Sequence, residues 1–73
     1  DMRLFGNLII VEHSGNFFTL YGHNDVNLVK TGDRVRKGEV IGKVGSTGEA
    51  PSPRLHFEVR AGAKVRNPLF FLP

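Results

Sequence analysis

Nine glycines and four prolines cut these 73 residues into short segments. No stretch of ten or more residues keeps an apolar period of 3.6, so an amphipathic helix is not what organises this chain. What remains are brief β-branched and aromatic runs bounded by turn residues, the pattern of strands. "NLIIVEH" (Asn7 to His13), between Gly6 and Ser14-Gly15, reads as a strand buried on both faces. "NFFTLYGH" (Asn16 to His23) follows after a tight turn at Ser14-Gly15-Asn16, and the two form a hairpin. In the second strand the period of two puts Phe18 and Leu20 on one face and Phe17, Thr19, Tyr21 and His23 on the other. "LHFEVR" (Leu55 to Arg60) alternates too: Leu55, Phe57 and Val59 face inward, and His56, Glu58 and Arg60 face away. Between these strands Gly32, Gly38, Gly42, Gly45 and Gly48 punctuate short apolar pairs. Val35 stands between two turns, and Val40, Ile41 and Val44 form another short strand. "AGAKV" reads as a turn. In "NPLFFLP", Pro68 suits the first position of a helical turn, with Leu69, Phe70 and Leu72 folding back as a plug. The expected class is all-β.

A chain this short buries only about 60% of its unfolded surface, so its core is marginal without a metal, a disulfide or a partner. Disulfides are excluded, because there is no cysteine. No apolar run exceeds that of Leu8 to Val11, far below the roughly 18 residues of a membrane span. No signal peptide opens the sequence, so an exported parent would carry its signal upstream. The net charge is +3, from ten Lys and Arg against seven Asp and Glu. Arg34, Arg36, Lys37 and Lys43 are interrupted by Gly and Glu, which suits a mildly basic solvated surface. No helix bears a basic stripe, so nucleic acid is not an expected partner. No internal repeat is visible. A buried strand lies close to the first residue, so its sheet neighbours are expected from preceding sequence.

The chemistry rests on three histidines. A catalytic zinc needs three protein ligands and an open position for water. His13 closes a strand beside a turn and reads as a solvated turn histidine. His23 alone could cap its strand, and His56 alone could be an ordinary groove histidine. If their strands are neighbours, the two converge. Arg54 and Glu58 share the face of His56, where Glu58 beside Arg54 and Arg60 reads as a charge ladder worth about 0.2–1 kcal/mol per pair. Ser46 and Ser52 lie in turns without a nucleophile elbow. "GSTG" lacks the lysine and following helix of a phosphate loop, and turn chemistry explains it.

Four motifs then fall in one order: "GNLIIVEHSGNFFTLYGHN", "VKTGDRVRKGEVIGKVGSTG", "RLHFEVR" and "VRNPLFFLP". Together they resemble the C-terminal two thirds of the LytM, or lysostaphin-like, peptidoglycan metallopeptidase domain. The resemblance implies a compact antiparallel sheet crossed by a groove, here a single partial domain over residues 1–73, truncated at its N-terminus and lacking the upstream His-x-x-x-Asp segment. It implies that His56 matches the zinc ligand ending the His-Leu-His motif and that His23, in "YGH", matches an assisting histidine. Arg54 stands where the other assisting histidine belongs. Arginine stays protonated at neutral pH and cannot act as a base. At about 4 Å, like charges repel by roughly 4 kcal/mol per unit pair at an effective dielectric near 20, so a zinc ion would be disfavoured beside it.

Arginine before Leu-His resembles the degenerate NlpD-type subgroup, to which EnvC-type proteins are related. Those domains are implied to switch on periplasmic peptidoglycan amidases in cell division. On this reading the site is vestigial. Tyr21, His23, Arg54, His56 and Glu58 line a partner groove, no cofactor is needed, and the partners are an amidase, peptidoglycan or both, in the periplasm or cell envelope of a bacterium. The alternative is a zinc endopeptidase cutting peptidoglycan cross-links, with His56 as ligand and His23 as acid/base. A biotinyl- or lipoyl-type carrier shares the glycine-valine rhythm, but no Met-Lys-Met or Asp-Lys-Ala occurs. A sheet missing its first strands is also expected to expose strand edges and to associate or exchange strands between copies.

Overall fold

One strand organises the sheet. In the computed structural model, which describes residues 2–61 and 64–66, a short helix α1 (Met2–Phe5) leads into β1 (Asn7–His13) and the eleven-residue β2 (Phe17–Asn27). β3 (Gly42–Val44), β4 (His56–Ala61) and β5 (Lys64–Arg66) follow. The sheet is antiparallel, in the order β1-β2-β4-β5, with β3 also on β2. Asn24 pairs with Asn7 on one side and Val44 on the other, so β3 and β4 lie end to end along the same side of β2. A bridge between Gly45 and Arg54 joins their ends.

Register fixes the faces. Thr19 faces Val59 and Tyr21 faces Phe57, so these residues share one face with Ile9 and Val11. Leu20 faces Glu58 and Gly22 faces His56 on the other, with Ile10 and Glu12. The alternation expected for Phe57 and Val59 is therefore observed. The double burial expected of β1 is not: Ile9 is buried, but Ile10 is 57% exposed. Among the described residues β1 has no strand partner beyond β2, and Ile10 on its outer side is exposed although Leu20, beside it on the same face, is buried. The regular β3 excludes Val40 and Ile41, although the Leu28 N–H donates to the Ile41 carbonyl at 2.9 Å and carries the pairing one step further. Leu55 precedes β4 and is exposed. Within "AGAKV", Ala61 belongs to β4 and Lys64 and Val65 to β5, because these residues pair with each other's strands. The "NPLFFLP" plug lies outside the described residues.

Between β2 and β3, residues 28–41 form an arm with a small repeat that composition conceals. Lys30-Thr31-Gly32-Asp33 and Arg36-Lys37-Gly38-Glu39 close in the same way. In each, the last residue's N–H donates to the first residue's carbonyl, at 3.0 Å in both. In each, the acidic side chain accepts the first residue's N–H, at 2.9 Å for Asp33 and 3.1 Å for Glu39. Gly32 and Gly38 have φ of 92° and 84°, the third-position geometry of a type II turn.

α1 is strapped to the loop after β3. The Glu49 N–H donates to the Leu4 carbonyl at 3.1 Å, and Gly6 and Gly48 meet backbone to backbone with φ of 64° and 72°. A Cβ on either glycine would collide with the backbone nitrogen of the other. Gly48→Ala is therefore expected to cost more than the about 1–2 kcal/mol of a left-handed alanine alone, read as a lowered urea midpoint with unchanged slope.

Candidate functional site

The site forms where β2 breaks its own alternation. Asn7 pairs with Asn24 and Ile9 with Tyr21, so Gly22 and His23 together stand opposite Leu8 alone. This is a β-bulge. His23 takes a φ of 64° within it, unusual for a residue with a side chain. Period two alone would put His23 on the Tyr21 face, away from His56. The bulge turns it across the sheet, and the rings of His23 and His56 meet edge to face with centroids 5.8 Å apart. The expected convergence is observed, but its cause is the bulge.

Hydrogen bonds hold this conformation. The Asn24 Nδ2 donates to the Tyr21 carbonyl at 2.9 Å and to Asn27 Oδ1 at 2.9 Å. The Thr47 hydroxyl donates to the Asn24 carbonyl at 2.7 Å and accepts the Asn7 N–H at 3.2 Å. The Thr47 carbonyl lies 2.7 Å from His23 Nδ1. A carbonyl can only accept, so Nδ1 carries the hydrogen, and in the neutral ring the lone pair sits on Nε2. His23 and Asn24 are both buried.

Glu58 organises the other half. Its Oε2 accepts from His56 Nε2 at 2.5 Å, and its Oε1 accepts from Arg60 Nε at 2.9 Å, with Arg60 Nη2 at 2.8 Å. The Glu58 side chain is only 13% exposed. Burial pushes its carboxyl up, yet hydrogen bonds from His56 and Arg60 and the positive charge of both outweigh this and hold it below its ordinary value of 4.5. The expected charge ladder thus has Arg60 and His56 as its rungs. Arg54 takes no part: it is exposed, its Nη2 donates to Ser52 Oγ at 3.0 Å, and its N–H donates to the Gly45 carbonyl at 2.8 Å.

Tyr21, expected in the same groove, lies on the opposite face. Its ring packs on Phe57 with centroids 5.3 Å apart, and its hydroxyl accepts from Thr19 Oγ1 at 3.1 Å. His13 is exposed beside its turn and bonds the same Thr19 Oγ1 at 2.7 Å. Two residues of the site carry no signal in the sequence. Phe5 stacks on His56 with centroids 4.9 Å apart, beside Gly22, where an added Cβ would lie 3.4 Å from those of Phe5 and His56. Thr47 sits in "GSTG", which reads only as a turn.

Among the described residues no group of three or more His, Cys, Asp or Glu is placed to hold a metal. His56 has one ring nitrogen committed to Glu58 and His23 one committed to Thr47. The site thus joins a carboxylate held between two donors, an edge-to-face histidine pair and an aromatic ring.

Two outcomes are expected. Thr47→Val keeps the carbonyl but strands the Asn24 acceptor and the Asn7 donor, and should lower unfolding free energy by about 1–3 kcal/mol in urea titrations. Because the Glu58 carboxyl sits lower folded than unfolded, its network stabilises the fold above the unfolded value and loses that contribution as pH falls through the folded one. The melting temperature should fall as pH drops below 4.5, and less steeply in Glu58→Gln.

The family model for peptidase family M23 matches residues 1–68. The chain is 46% identical over 73 residues to the uncharacterized lipoprotein YgeR of Escherichia coli K12, covering 100% of this chain and 29% of that protein. It is 46% identical over 72 residues to the murein hydrolase activator NlpD of the same organism, covering 99% of this chain and 19% of that protein. The chain thus spans less than a third of either relative's length. Among solved structures it is similar to a mutant catalytic domain of the prophage-encoded M23 protein EnpA from Enterococcus faecalis, with a TM-score of 0.84 and 31% identity over 92% of this chain and 54% of that one.

Proposed function

The chain belongs to peptidase family M23, and we propose that it acts within that family as an activator of a peptidoglycan amidase. The observation that carries this reading is the site itself. His56 is bound to a Glu58–Arg60 ion pair, and arginine occupies position 54, where the family resemblance implies an assisting histidine. The murein hydrolase activator among the relatives supports the same role. The lipoprotein relative supports a place in the cell envelope, and we extend this to the periplasm.

In this mechanism His23, Arg54, His56 and Glu58, with Phe5 as an apolar floor, receive an element of the amidase. Tyr21 is not part of that surface. Occupation of the groove favours the amidase conformation whose inhibitory element is displaced, a shift that needs only differential binding of a few kcal/mol. Docking requires no cofactor; zinc enters only in the peptidase alternative. The β1 edge has no strand partner among the described residues beyond β2, which supports association of copies through that edge. A single monomeric species in sedimentation at high concentration would overturn that association.

The test is amidase activity on purified peptidoglycan with the full-length protein added. Arg54→Glu should weaken activation about 10-fold or more, the effect of removing one significant interface side chain, with an unchanged melting temperature. Full activation by that variant, or cross-link cleavage by the protein alone with stoichiometric zinc, would overturn the reading.

A further inference from the structure

The arm of residues 28–41 takes no part in the site, and its chemistry is of another kind. It carries Lys30, Arg34, Arg36 and Lys37, all exposed. Its two acids each commit one carboxylate oxygen to a turn of the arm itself. The Asp33 carboxylate is held on the Lys30 N–H and the Glu39 carboxylate on the Arg36 N–H, each inside its own turn. None of the four cations has an ion-pair partner among the described residues. Counted with its acids, the arm bears four positive and two negative charges, a net +2 of the +3 on the whole chain.

The two turns of the arm are open. At both turn glycines, Gly32 and Gly38, an added Cβ would meet nothing within 4 Å. Two aliphatic residues flank the cations in the open: Leu28 is 51% exposed and Val40 is 70% exposed. Beside four cations without ion-pair partners among the described residues, on an arm shaped by two reciprocal turns, they have the chemistry of an anionic interface. Phosphate headgroups take the charges, and the aliphatic side chains enter the headgroup–acyl boundary.

We infer that the 28–41 arm is a contact site for an anionic phospholipid surface, with Lys30, Arg34, Arg36 and Lys37 on the headgroups and Leu28 and Val40 at the acyl boundary. Free inorganic phosphate offers the cations no apolar counterpart, and an acidic protein face offers none by charge alone, so the bilayer matches more of the arm. This inference is independent of the amidase reading, because none of the arm's residues lies in the His23–His56 site.

The experiment is vesicle co-sedimentation of the full-length protein, freed of any lipid anchor, with phosphatidylcholine vesicles either pure or containing phosphatidylglycerol. Binding is expected only to the anionic vesicles and should fall as added salt shortens the Debye length. Each basic residue near such a surface strengthens binding about 5-fold, so Arg34→Gln with Lys37→Gln should weaken it about 25-fold. Val40→Ser should weaken it further without altering the salt dependence, and both variants should retain amidase activation. Equal binding to neutral vesicles, undiminished binding by the double variant, or displacement from the vesicles by polyglutamate but unaltered affinity on Val40→Ser would each overturn the inference; the last would assign the arm to an acidic protein.

Discussion

The site depends on one residue in one turn. Thr47 uses its hydroxyl as donor to Asn24 and acceptor from Asn7, and its carbonyl as acceptor from His23. These bonds hold β2 in a conformation that its own sequence would not choose, since a histidine at φ 64° gives up the comfort of the β region. Without the bulge, His23 would point at the Tyr21 face, and the histidine pair would not exist. The close backbone approach of Gly6 and Gly48 adds to the same clamp, bringing α1 and Phe5 against the other side of the histidines. Residues from four separate parts of the chain therefore meet because a turn on the far side of β3 supplies their hydrogen bonds.

The second constraint is electrostatic. A buried carboxylate needs compensation, and Glu58 receives it from His56 and Arg60. That requirement bears directly on function. The ring nitrogen that faces Glu58 is satisfied within the protein, and a cationic ligand there would have to displace it or use the other nitrogen. The site is consequently self-sufficient in charge, as a surface that recognises another protein can be. Arg54, whose guanidinium is bonded to Ser52 and open to solvent, is not engaged by Glu58.

The legible part of this structure is the part governed by neighbours in sequence. The hairpin of β1 and β2, the alternation of Phe57, Val59, His56 and Glu58, and the turn at Ser14-Gly15-Asn16 follow from periodicity and turn chemistry, which act over a few residues. The pairing of His23 with His56 was foreseeable only as a convergence of strands, because the bulge that produces it is fixed by a residue 24 positions away. Strict alternation groups Tyr21 with His23, but the bulge carries His23 to the other face and leaves Tyr21 beside Phe57. Phe5 gave no warning, since a lone aromatic before a strand matches no pattern. The β-branched run around Ile10 suggests burial, but its outer position on β1 leaves it exposed while its neighbour Leu20, between β1 and β4, is buried. The paired turns of the arm were hidden by sequence difference, as Thr31 and Lys37 obscure a common backbone plan.

The span of the Thr47 clamp has a kinetic side. Its bond to Asn7 joins positions 40 residues apart, whereas β1 and β2 meet across a three-residue turn. Closing the larger loop costs more chain entropy, and nonlocal contacts slow folding. The hairpin can therefore form before the bulge is pinned, which makes the histidine pair a late product of folding and an early casualty of local opening.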